Sequence, residues 1–253
     1  LVRLLMIVGE GDKKTLVCNK KGQHVVEHFL MSRYFHYSQV IHHKTNTAFE
    51  GLVKAMYIKL IQNKKFIFNS IDEIEANVNN ENFLNFTDSF LEVAFDNYNK
   101  TTDDEDFKKL YRMYKNRIRP KVIFEMKDLY SNSPNENFTI LKWHLKMKPD
   151  EISKKLNTNL WGYNTASVKI EKINGSYSLT DENKISEEDM REAIKLYDPD
   201  LKKISYLASD NLSVINKLAN YSNEFLRIYI FDDNENNYVD MSNKIKSLIQ
   251  IKK

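Results

Sequence analysis

One cysteine in 253 residues cannot close an internal disulfide, so Cys18 excludes a cross-linked secreted scaffold. No run of about 18 apolar residues occurs, and no segment has the pattern of a secretory leader. Both absences point to a cytoplasmic chain without a membrane helix. Charge of one sign is missing as well: 38 basic against 35 acidic residues leave a formal +3, too balanced for a chain that coats nucleic acid. Any anion binding must therefore be local. No HExxH, CxxC or His-plus-carboxylate spacing surrounds the His42-His43 pair, which argues against a zinc site there. Internal repeats are absent, and the Asn/Lys/Ile bias is too mild for low complexity. What remains is a chain 42% hydrophobic, enough for one sizeable core or for a larger domain with a smaller one beside it.

Taken in order, Val2 to Val8 and Thr15 to Cys18 are short apolar runs either side of Gly9-Glu10-Gly11-Asp12, which predicts a hairpin at a domain edge. Gly22 to Lys44 reads as one long helix, and its pattern resumes from Thr47 to about Gln62. Further helices are predicted at Ser70 to Val78, Asn82 to Tyr98 and Glu105 to Lys115. Thr102 with Glu105 forms a capping box for the last of these, and Asp103 and Asp104 suit its positive end. After Pro120 the character changes. A loop at Ser131 to Asn135 precedes a helix over Phe138 to Lys155, with a break near Pro149. Strands near Ala166 to Ile170, Lys203 to Leu207 and Arg227 to Phe231 then alternate with helices near Glu187 to Leu196, Leu212 to Ala219 and Met241 to Ile249. That alternation predicts a small α+β layer.

The chemistry concentrates on the long helix. Val26, Leu30, Arg33, Tyr37, Val40 and Lys44 step by four and three, so they share a face. A guanidinium on a core-like stripe must meet an anion or a carboxylate, because an unpaired buried charge costs several kcal/mol. Arg33 and Tyr37, one turn apart, suit a phosphate and its sugar; the plainer alternative pairs Arg33 with an acid of a neighbouring helix. His42-His43-Lys44 tempts a zinc reading. Adjacent helical histidines diverge by about 100 degrees, however, so His43 and Lys44 read better as phosphate ligands. A second basic run, KKLYRMYKNRIRPK from Lys108 to Lys121, resembles a solvated helix face. Within it Arg117 and Lys121 flank the Arg119-Pro120 helix end, where a phosphate fits between them. Trp143 and Trp161 read as core or interface anchors. Asp232 to Asn237 has the composition of a calcium loop without its glycine or terminal glutamate.

The string KGQHVVEHFLMSRYFHYSQVIHHKT resembles the signature helix of HD-superfamily phosphohydrolases related to deoxynucleoside triphosphate triphosphohydrolases, whose pattern is approximately FLxARYxMYxQVYxHKT after a glycine. The match takes in Gly22, Phe29, Leu30, Arg33, Tyr34, Tyr37, Gln39, Val40, His43, Lys44 and Thr45; Ile41 departs from the usual tyrosine. Asn116 to Lys121 resembles the family's later Arg/Lys element more weakly. The resemblance implies a mainly α-helical fold, the C-terminal helices of an HD domain over 1–130, with a smaller α+β region over 131–253. It implies that Arg33 and Tyr37 hold a nucleoside triphosphate substrate. His43, Lys44, Arg117 and Lys121 would bind an effector nucleotide in a homo-oligomer. The family's divalent metal (Mg, Mn, Fe, Ni or Zn) is held by His, His-Asp and a distant Asp. No histidine here is followed by aspartate, so the resemblance places the metal ligands and every catalytic residue outside this chain, upstream of Leu1. This chain is expected to be the C-terminal part of a longer hydrolase and inactive alone. Two alternatives stand beside that reading: a non-catalytic nucleotide-binding or oligomerisation module, and, more weakly, single-stranded nucleic-acid binding through the Tyr-interleaved basic run.

Overall fold

The computed structural model describes residues 2–11, 14–65, 68, 70–84, 87–130, 133–169, 193–218, 221–232 and 238–249. Its helices are α1 (Gln23–His36), α2 (Lys44–Gln62), α3 (Ile71–Asn77), α4 (Glu81–Leu84), α5 (Asp88–Thr101), α6 (Glu105–Lys115), α7 (Glu136–Met147), α8 (Pro149–Leu156), α9 (Val214–Leu218) and α10 (Tyr238–Ile249). Its strands are β1 (Leu5–Val8), β2 (Thr15–Asn19), β3 (Lys121–Tyr130), β4 (Trp161–Lys169), β5 (Lys195–Asp198), β6 (Lys203–Tyr206) and β7 (Ser222–Ile230). They form a four-stranded sheet in the order β1-β2-β5-β6 and a three-stranded sheet in the order β3-β7-β4. The fold is thus a mixture of α and β, with helix predominating. The chain divides into two compact units, each assembled from three separate segments.

The first unit comprises Leu1–His43, Met126–Thr139 and Thr165–Phe225. The expected hairpin is there: β1 and β2 pair antiparallel, Leu5 opposite Cys18 and Val8 opposite Thr15. β2 then pairs in parallel with β5, so N-terminal and C-terminal strands share one sheet. Val26 and Leu30 of α1 join Cys18, Leu196, Leu207 and Ile215 in a single buried cluster. Glu27 on the same helix is also buried. Burial alone would raise its carboxyl pKa, but hydrogen bonds from Ser213, His24 and Gln23 outweigh that and lower it. Gly22 opens the helix where a Cβ would lie 2.6 Å from Leu4 Cδ1 and 3.2 Å from Cys18 Sγ.

The second unit comprises Lys44–Glu125, Ile140–Asn164 and Leu226–Lys253. Ala48, Leu52, Met56 and Leu60 recur every four residues along α2 and face Phe107, Leu110 and Met113 of α6, with Phe95 and Tyr98 of α5 closing the cluster. Tyr98 and Phe107 meet edge to face at 4.6 Å. α10 packs on α8. Lys59 near the end of α2 bonds Asp104 at the start of α6 at 2.7 Å, which fixes the two helices antiparallel.

Several expectations shift. The long helix does not run to Lys44: α1 ends at His36, a π-helical turn occupies Tyr37–Ile41, and α2 starts afresh. Asp104, not Thr102, caps α6 by accepting from the Phe107 amide at 3.1 Å, while the Thr102 hydroxyl accepts from the Asp104 amide. The predicted helix over Asn82 to Tyr98 is two helices, α4 and α5. β3 was not anticipated, and Lys195 and Leu196, predicted helical, lie in β5. Residues 187–192 of that predicted helix, the last residue of the strand predicted to Ile170, residues 131–132 of the predicted loop and 233–237 of the calcium-like segment lie outside the described residues. Among the described residues Gly11 is left-handed, and so are four residues with side chains, Lys64, Arg117, Asn157 and Lys202.

Candidate phosphate-binding sites

In the first unit, Arg33 is half-buried and its guanidinium carbon sits 4.8 Å from the centroid of the Tyr37 ring, a cation–π stack one helical turn long. The stripe that begins buried at Val26 and Leu30 has reached the surface by this point, with Tyr37 38% exposed and Val40 49%. Arg33 is therefore no core charge in need of rescue: the aromatic face covers one side of the guanidinium, leaving its N–H edge as the donor surface. The wide turn explains the lost periodicity. His42 N–H reaches back five residues to the Tyr37 carbonyl at 2.8 Å, inserting a residue into the helical count and interrupting the row. His43 is exposed. Tyr34, also in the motif, accepts from the Asn223 side chain at 2.7 Å and so ties α1 to β7.

In the second unit, Lys44 is the first residue of α2, and the first turn of that helix carries no acidic side chain. A cation at the positive end of a helix dipole is opposed by about 0.3–1 kcal/mol. Three residues on, Thr47 is fully buried, and its hydroxyl lies 2.5 Å from the Tyr229 hydroxyl. Tyr229 is buried too, which raises its phenol pKa against the opposing hydrogen bonds of Thr47 and Arg227. Arg227, two residues away on the same face of β7, donates its Nε to Glu125 of β3 at 2.7 Å and is 5% exposed. This Thr47–Tyr229–Arg227–Glu125 chain pins the opening turn of α2 to two strands. It escaped the sequence reading, although an arginine inside FLRIYIF was the visible signal.

Arg117 follows α6 in the left-handed conformation, φ +55°. Its amide bonds the Tyr114 carbonyl at 3.3 Å, and that of Ile118 bonds Met113 at 2.9 Å, a Schellman end with arginine where glycine is usual. Because α2 and α6 are antiparallel from the Lys59–Asp104 contact, Lys44 lies about 22 Å along α2 and Arg117 about 20 Å along α6 in the same direction. Both reach one end of the helix pair. Lys121, half-buried, opens β3 four residues later.

Three lysines of the basic run are occupied internally. Lys115 pairs with Asp96 at 2.9 Å, Lys109 with Asp232 at 2.8 Å and Lys108 with Glu105 at 2.9 Å. Tyr111 and Tyr114 donate to Asp96 and Glu92. Burial first, then those carboxylates, raise both phenol pKa values. Among the described residues no group of three or more His, Cys, Asp or Glu stands close enough to hold a metal ion, so they do not fit the divalent metal that the resemblance implies. Trp143 is half-exposed rather than a core anchor, and Trp161 donates to Ser153 at 2.8 Å. No helix among the described residues is long and apolar enough to cross a membrane.

No family model matches the sequence, and no curated protein does either. Among solved structures, a phosphohydrolase from Bacteroides thetaiotaomicron VPI-5482 is similar at 18% identity, over 90% of this chain and 54% of that one, with a TM-score of 0.49. The chain thus spans about half the length of that protein, and a likeness at this score decides nothing about chemistry.

Proposed function

We propose that this chain is the nucleotide-gripping portion of an HD-type phosphohydrolase that, as a longer protein, hydrolyses (deoxy)nucleoside triphosphates with a divalent metal. The observation that carries the reading is the cationic end of the α2/α6 pair. Lys44 stands at a helix N-terminus with no acid in the first turn, and Arg117 occupies a strained left-handed position where glycine would be more stable. Polyphosphate neutralises the first and gives the second a reason to persist. Lys44, Arg117 and Lys121 bind the phosphates of an effector nucleotide, and His43 adjoins Lys44 along the chain. Arg33 presents the N–H edge of its stacked guanidinium to the substrate, with Tyr37 against the sugar. Metal and water activation come from residues outside those described, so no hydrolytic step is drawn through this chain.

Calorimetric titration of this chain with dGTP and dATP tests the reading, because binding needs no catalytic metal site. Binding that is lost in Lys44→Ala and in Arg117→Ala is the expected result; no binding by the wild type, or binding indifferent to both, sinks it. Phosphate or triphosphate release by the full-length protein with manganese or magnesium then separates a hydrolase from a non-catalytic nucleotide-binding module, for which binding persists without turnover.

A further inference from the structure

Within the second unit, one face of α5 and the residues that follow α2 border a cavity of about 410 Å³, a volume in the range of small-molecule sites. Phe90, Val93, Ala94, Asn97, Tyr98 and Thr101 line it, at the i, i+3, i+4, i+7, i+8 and i+11 spacing of a single helical stripe. Eleven residues of helix rise about 16 Å, so the cavity is a groove along α5. Its two ends differ. Phe90, Val93 and Ala94 make one end apolar, and Val93 is 55% exposed. Lys64 and Lys65 border the other end, beside Thr101. They lie there because Lys59, near the end of α2, meets Asp104, three residues past the end of α5, so the two helices finish together.

The polar groups of this groove are uncommitted. Among the described residues neither Lys64 nor Lys65 has an acidic partner, and Asp104 is taken by Lys59 at 2.7 Å. Tyr98 is only 6% exposed, yet its hydroxyl has no hydrogen-bond partner among the described residues. A lysine after a helix end is ordinary by itself, but a buried phenol normally finds a partner. Two ammoniums and an unpartnered hydroxyl beside an apolar trough match a ligand with an anionic head and a straight hydrocarbon tail. We propose that this groove binds a medium-chain carboxylate. Its head accepts from Lys64, Lys65 and the Tyr98 hydroxyl, and its chain lies along Ala94, Val93 and Phe90. Lys44 opens α2 and Lys64 lies just past its end, about 30 Å away along the axis, so the groove is separate from the nucleotide contacts proposed above.

Calorimetric titration of this chain with decanoate tests it, with acetate supplying the head without the chain and decanol the chain without the charge. Decanoate is expected to bind, and both controls to bind at least about 10-fold more weakly. The double variant Lys64→Gln/Lys65→Gln should weaken decanoate by about 10- to 150-fold, and Tyr98→Phe by about 2- to 10-fold. Val93→Asp sets a carboxylate in the apolar wall at an exposed position, so binding should be lost while the circular-dichroism melt stays unchanged. No decanoate binding up to about 1 mM overturns the proposal. So does binding that acetate or decanol matches, or that the double lysine variant, Tyr98→Phe or Val93→Asp retains in full.

Discussion

Replacing Arg117 by glycine separates the two demands that the structure places on one position. Arg117 holds φ +55° at the end of α6, where a residue with a side chain pays about 1–2 kcal/mol over glycine. Glycine gives back about 0.5–1 kcal/mol because its unfolded chain is freer. The balance is a gain of about 0.5–1 kcal/mol, or about 1–4 °C in Tm for a chain of this size. Losing a charge-assisted hydrogen bond to phosphate costs about 1.5–3 kcal/mol, a roughly 10- to 150-fold weaker Kd for dGTP. The same protein should therefore be more stable and bind worse. Urea unfolding and calorimetric titration read the two halves. Lys64→Gly is the control: it sits in the same arrangement after α2, with the Lys65 amide on the Leu60 carbonyl at 2.9 Å, and lies outside the proposed site. It should gain stability and leave binding alone. An Arg117→Gly protein that is less stable, or that binds dGTP as the wild type does, refutes the reasoning.

Lys44→Glu exchanges a cation for an anion at the α2 N-terminus and should stabilise by about 0.5–1.5 kcal/mol at low salt while nucleotide affinity falls; urea midpoints at low and high salt show whether the gain is electrostatic. Asp104→Ala removes the α6 cap and the Lys59 partner and should cost about 1–2 kcal/mol at pH 7. Burial raises the Asp104 pKa, but Lys59 and the Phe107 amide outweigh it and lower the net value. A carboxyl lowered in the folded state contributes stability above its unfolded pKa and loses it as pH falls through the folded one. The gap between wild type and Asp104→Ala should thus narrow below about pH 4 in acid-titrated melts, and a gap that widens there contradicts the assignment. Gly22→Ala sets a methyl against Leu4 and the buried Cys18 thiol and should cost about 1–3 kcal/mol by thermal melt, with an unchanged Tm refuting the tight fit.

Where local chemistry suffices, the sequence was enough. The hairpin of β1 and β2 follows from two apolar runs around Gly9 and Gly11. α6 follows from its acidic start and its apolar positions at 107, 110 and 113, and the break before α8 from Pro149, which cannot donate to a continuing helix. The four-residue period of α2 names its own core face. Tertiary structure decided the rest. A π-turn at Tyr37–Ile41 is invisible to a periodicity count, since one inserted residue looks like ordinary scatter in the pattern, and it interrupts the face that carries Leu30. Whether Arg33 was buried depended on what covered it, and only the fold shows that its cover is Tyr37. The union of β2 with β5 joins residues some 180 positions apart, a pairing that strand propensity cannot specify. Lys44 and Arg117 likewise share an end only because a lysine on α2 meets the cap of α6. The sequence alone thus determined which segments are helix, hairpin or break, because those follow from period, caps and turn residues within a few positions of one another. Which basic residues share an end depended on packing between segments distant in the chain.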